Sequence, residues 1–120
     1  MFKSLIVCKY GSRVQTSKKV KGLLQRMFPE YTYSSIQCIG KILSDDTIID
    51  CINENNSYGS IIKNIIVDEV YKDLPTRLSS KIKNVKFWYI VENTGNNWKN
   101  KPALFPYSKD GKEILTEMNI

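Results

Sequence analysis

The chain contains no histidine in its 120 residues. That removes the side chain most often used as a general base near neutral pH, the usual partner of a nucleophilic Ser or Cys, and the commonest zinc ligand. Cysteine is scarce as well: Cys8, Cys38 and Cys51 stand far apart, are odd in number and form no CxxC. Such a set suits buried thiols in a reducing compartment and argues against a disulfide framework or a sequence-local metal site. The patterns GxxxxGK[ST], GxGxxG and GxSxG are missing, and so is an EF-hand loop. The longest apolar runs are Leu5–Cys8, Ile65–Val67 and Phe87–Val91, none near the roughly 20 residues that span a bilayer. Leu5–Cys8 is also too short for a signal-peptide core. These absences lead to an expectation of a cytoplasmic protein with no cofactor, no resident metal and no catalytic residue, more a binder than an enzyme.

What is present is an ordinary globular composition, 42% hydrophobic and 25% charged. A chain of this length fits one domain over 1–120 and can bury a core without metal or disulfide staples. Ile, Lys and Asn are abundant and their codons are rich in A and T, as in many phages, viruses, mobile elements and low-GC bacteria.

The net charge of +6 is unevenly spread. Residues 1–29 hold seven cations and no acid, residues 30–80 hold eight acids against Lys41, Lys63, Lys72 and Arg77, and residues 81–120 are basic again. If the two basic thirds fold side by side, the molecule has a basic face and a more acidic one. Such a field speeds encounter with polyanions or acidic proteins.

The local patterns predict an α+β fold: one two-layer domain with a small mixed or antiparallel sheet and two to four helices. Strands are expected near 2–10, 31–42 and 85–92, with 103–107 as a further candidate. The 2–10 segment is apolar on both faces, so it belongs at the centre of the sheet. Thr16 or Ser17 can cap a helix over 17–28, in which Val20, Leu23, Leu24 and Met27 form the core stripe and Lys18, Lys19, Lys21 and Arg26 point away from it. Strand, helix and strand with short links favour a right-handed parallel crossover. Ser44 can cap a second, short helix with Asp45 and Asp46 in its first turn, followed by a polar loop over 53–59. The 61–74 segment reads as a helix ending at Pro75, although that places Glu69 in an apolar stripe and Ile65-Ile66-Val67 would equally open a strand. In 85–92, Val85, Phe87, Tyr89 and Val91 take one face and Lys86, Trp88 and Ile90 the other.

Two binding constellations stand out. One is the basic helix face of Lys18, Lys19, Lys21 and Arg26, with Gly22 among the cations. The other is the loop of Trp98, Lys99 and Lys101, where an aromatic ring among lysines suits base stacking or a protein hot spot. Trp88 is the more core-like tryptophan. Metal-assisted nuclease chemistry on Asp45, Asp46 and Asp50 with Lys41, or on Asp68, Glu69 and Lys72, is a remote alternative. The expected function is therefore a small non-catalytic protein that binds and modulates or inhibits an acidic partner. That partner is expected to be a protein, as for a phage or viral accessory factor acting in the host cytoplasm. The alternative is nucleic-acid binding through the basic helix and the Trp98 loop. Only three of the 18 cations are arginines, which weakens the case for base readout.

Overall fold

Strand β1 (Phe2–Lys9) is an interior strand, second from one edge of a five-stranded sheet, in the computed structural model, which describes residues 2–11, 18–29, 31–38, 44–92 and 102–106. Its position follows from its side chains. Leu5 and Val7 pack into the core on one face of the sheet, and Ile6 and Cys8 pack into the core on the other. A strand buried on both faces reads as a continuous apolar run, and Leu5–Cys8 is such a run.

The chain continues through α1 (Lys18–Met27), β2 (Tyr31–Cys38), α2 (Asp45–Ser57), β3 (Ile61–Val67), a 3-10 turn (Glu69–Tyr71), α3 (Leu74–Leu78), β4 (Lys86–Glu92) and β5 (Pro102–Pro106). The strand order is β2-β1-β3-β4-β5. The first four strands are mutually parallel, and β5 closes the edge antiparallel to β4. The expected α+β domain with a mixed sheet is thus present.

The sheet has helices on both faces, so there are three layers where the sequence predicts two. The topology accounts for this. The β1-to-β2 crossover runs one way along the sheet, whereas the β2-to-β3 and β3-to-β4 crossovers run the other way. Crossovers of one hand that run in opposite directions must lay their helices on opposite faces. Accordingly Val20, Leu23 and Leu24 of α1 pack with Phe28, Ile66, Trp88 and Ile90 on one face. Ile48 and Ile52 of α2 join Leu74 and Leu78 of α3 over Ile65, Val67, Phe87 and Tyr89 on the other.

The helix predicted over 61–74 is not formed. Ile61–Val67 is a strand inserted between β1 and β4, and only Leu74–Leu78 is α-helical beyond the 3-10 turn. A parallel strand covered on both faces shows no period-two alternation, and its apolar run cannot be told from a buried helix by spacing alone. Pro75 starts a helix instead of ending one. It sits in the first turn of α3, where a missing N–H costs nothing. Glu69 falls in the 3-10 turn and not in a helix stripe.

Helix α2 begins where the sequence predicts. The Ser44 hydroxyl accepts a hydrogen bond from the Thr47 amide at 3.1 Å, and Asp45 and Asp46 occupy the dipole-positive first turn. The helix then runs on to Ser57, through residues expected to be loop. Asn55 is held in it by a 2.8 Å bond from Nδ2 to the Cys51 carbonyl. The turn back into β3 uses Gly59 at φ 80°, a left-handed conformation that favours glycine. Ser44→Ala should lower stability by about 1 kcal/mol in urea unfolding, and Ser44→Asp should restore it.

Candidate functional site

Helix α1 is held to the sheet by Val20, Leu23 and Leu24, with Met27 against the same core. This fixes the opposite side of the helix toward solvent. Lys18, Lys19 and Arg26 are exposed there and Lys21 is half-buried. The structure therefore brings all four predicted cations onto one helix, with their relation to the core as the periodicity requires. No acid stands in the first turn of α1. Its lysines lie at the end where the helix dipole is already positive, so each adds to a local positive potential that nothing on the helix offsets.

The acidic counterpart is α2, which carries Asp45, Asp46, Asp50 and Glu54 and no cation. Asp45 is engaged: Arg77 reaches it with Nη2 at 3.1 Å and Nε at 3.2 Å, and Lys81 Nζ lies at 3.8 Å. Asp46, Asp50 and Glu54 are exposed and follow one another at i, i+4 and i+8. Because α1 and α2 cover opposite faces of the sheet, the two charged helices face in opposite directions. For these two helices, segregation along the chain becomes segregation in space.

The second predicted constellation, Trp98, Lys99 and Lys101, lies outside the described residues, as do Lys41 and the capping candidates Thr16 and Ser17. Trp88 is core, as expected. It packs edge-to-face with Phe28 at a ring separation of 5.3 Å, and its Nε1 donates to Asn64 Oδ1 at 3.0 Å. Lys86 lies over the Trp88 ring, with Nζ 4.4 Å from its centroid. Among the described residues, a Cβ at Gly22 would meet nothing within 4 Å.

A third feature escapes the sequence reading. In open parallel sheets, ligands bind beyond the carboxyl ends of the strands where the strand order reverses. Here the reversal lies between β1 and β3. The two strand ends are tied together by Asp68, a buried carboxylate. Its Oδ2 accepts from the Lys9 amide at 2.9 Å, its Oδ1 accepts from the Val70 amide at 3.1 Å, and its own amide donates to the Val7 carbonyl at 3.3 Å. Tyr10 and Val70 flank this tie, 56% and 63% exposed, and Gly11 turns the chain at φ 75°. Reading 61–67 as a strand is the signal that would have located this point.

Close by, Tyr71 is buried, and among the described residues its hydroxyl finds no hydrogen-bond partner of good geometry, although the Cys38 thiol is near enough to shift its titration. Burial holds the phenol well above its ordinary pKa, and the neighbouring Cys38, Asp68 and Cys8 add to the shift. A phenol harder to ionise folded than unfolded contributes stability that is complete below about pH 10 and lost as pH rises beyond it. Tyr71→Phe should therefore raise stability by about 1 kcal/mol at neutral pH, by removing an unsatisfied buried hydroxyl. In urea unfolding at about pH 8 and pH 11, the variant should also lose less stability than the parent protein across that interval.

Cys8 is buried in β1. The Cys51 thiol is pushed up first by burial and then by Glu54, which favours the unreactive thiol over the thiolate. Among the described residues, no group of three or more Cys, Asp or Glu side chains is placed to hold a metal ion, and no helix is long and apolar enough to cross a membrane. Comparison with known proteins finds no family model and no curated relative that matches this chain.

Proposed function

We propose that this is a small, non-catalytic cytoplasmic protein that binds an acidic macromolecular partner through the exposed face of α1 and modulates or inhibits that partner. The observation that carries this reading is the placement of Lys18, Lys19 and Arg26 on one outward helix face, with the exposed acids of α2 turned to the opposite side of the molecule. The α1 face thus presents cations to an approaching polyanion while the sheet separates them from the acids. A protein partner is favoured over nucleic acid because lysines dominate and arginines are few, and because base readout relies on arginine. The abundance of Ile, Lys and Asn, residues whose codons are rich in A and T, fits an accessory factor of a phage or virus acting on a host protein.

The test is titration by fluorescence anisotropy with labelled poly-glutamate and with single- and double-stranded oligonucleotides, each at two salt concentrations. The parent protein is compared with Lys18→Glu/Lys19→Glu/Arg26→Glu. Poly-glutamate should bind the parent and lose at least tenfold in affinity for the variant. Steeply salt-dependent oligonucleotide binding, lost in the same variant, would turn the reading to nucleic acid. Equal binding of both proteins to every probe would remove α1 from the account.

A second reading rests on the strand order. The β1/β3 switch point lies at the end of the sheet from which α1 departs, and a helix N-terminus rich in lysine suits a phosphate group. Under this reading the ligand is a small phosphate-bearing molecule seated beside Tyr10, Gly11 and Val70.

A further inference from the structure

Two stripes of opposite charge match each other in length. On α1, Lys18, Gly22 and Arg26 follow at i, i+4 and i+8; on α2, Asp46, Asp50 and Glu54 do the same. At 1.5 Å per residue each stripe is about 12 Å long. Laid antiparallel, Lys18 meets Glu54, Arg26 meets Asp46, and Gly22 faces Asp50. Each stripe carries an unfavourable element in the isolated chain, although Asp46 suits the first turn of α2 and Arg26 the last turn of α1. Three like charges at successive i,i+4 positions repel along α2, and Lys18 and Lys19 oppose the dipole of α1. Among the described residues, no ion pair relieves Asp46, Asp50, Glu54, Lys18 or Arg26. Gly22 points the same way. Glycine weakens a helix interior relative to alanine, yet a Cβ at Gly22 would meet nothing within 4 Å among the described residues, so packing against them does not call for glycine. Between two exposed cations, it lets another helix backbone approach closely.

We infer that α1 of one copy docks on α2 of a second copy, giving head-to-tail self-association. The inference rests on α1 being a docking surface for acidic groups and names this chain's own α2 as one such group. Because the two stripes lie on opposite faces of the sheet, one pair of molecules cannot satisfy both contacts at once. The contact is heterologous and propagates as an open chain instead of closing as a dimer. It is also weak. Exposed ion pairs contribute little each, and the net charge of +6 opposes assembly until salt screens charges more than about 10 Å apart, near 0.1 M.

Sedimentation of the full chain from tens of micromolar to about 1 mM tests this at about 0.1 M and 0.5 M salt. The weight-average mass should climb past twice the 13.9 kDa of one chain at the lower salt, without a dimer plateau, and fall back at the higher. Lys18→Glu/Arg26→Glu should stay monomeric, and so should Asp46→Lys/Asp50→Lys/Glu54→Lys. An equimolar mixture of the two should associate again, because each then supplies the charge the other lost. Gly22→Leu should fold and remain monomeric. A parent protein that stays at 13.9 kDa throughout would overturn the inference, as would a mixture that fails to associate or a Gly22→Leu variant that assembles normally. If the parent stays monomeric yet binds poly-glutamate through α1, self-association is lost and the acidic-partner reading stands. If it does neither, both are lost.

Discussion

Asp68→Ala should destabilise the protein by about 3–5 kcal/mol, the largest loss expected from removing a single polar group. Hydrogen bonds to a charged group contribute about 1.5–3 kcal/mol each, and an amide left buried without its acceptor adds a penalty. Asp68 accepts such bonds from the Lys9 and Val70 amides while only 7% exposed. Its loss would leave the carboxyl ends of β1 and β3 joined without their side-chain tie. Asp68→Asn offers one oxygen in place of two and should lose about half as much. Urea unfolding measures both. A cost below about 1 kcal/mol for the alanine variant would mean that water replaces the carboxylate at little expense and that the tie is not structural.

Trp88→Ala should cost about 3–5 kcal/mol, the range for emptying a buried aromatic site. The indole fills the space between α1 and the sheet, meets Phe28 edge-on at 5.3 Å and donates to Asn64. Trp88→Phe keeps a ring for Phe28 and loses the indole donor and some volume, so it should cost about 1–2 kcal/mol. Because Phe28, Leu23 and Leu24 share this core, the alanine variant should also loosen α1. Amide hydrogen exchange in 18–28 should speed up before exchange in α2. Uniform acceleration across both helices would show that the two faces of the sheet unfold as one unit.

The elements that could be read from the sequence are those whose own pattern decides their structure. The core stripe of α1 and the outward direction of Lys18, Lys19 and Arg26 follow from helical spacing alone. The two faces of 85–92 follow from strict alternation, and the start of α2 follows from Ser44 and the acids after it. The β3 segment could not be read this way. Its burial on both faces comes from β1 and β4 on either side and from helices above and below, none of which leaves a mark within Ile61–Val67. The switch point was hidden for the same reason. Asp68 becomes a tie only when Lys9, 59 residues away, is brought beside it, so a lone acid after an apolar run carries no local signal. The full length of α2 is not legible because Asn53, Asn55 and Asn56 favour turns locally, whereas Ile48 and Ile52 anchor the helix to the sheet.

Charge placement links the fold to the proposed role. The opposed directions of the first two crossovers put α1 and α2 on different faces, and that separation keeps the cations of one from being neutralised by the acids of the other. Without it, pairs between the two helices would form internally and the surface would be evenly mixed.

The most direct test of the account is a residue-resolved NMR titration of the labelled full chain with poly-glutamate at low salt. Binding through the α1 face should give saturable shifts centred on the amides of 18–26, absent in Lys18→Glu/Lys19→Glu/Arg26→Glu, whose remaining spectrum should match that of the parent. Shifts centred instead on 9–11 and 68–71, or the same shifts in the variant, would contradict binding through the α1 face.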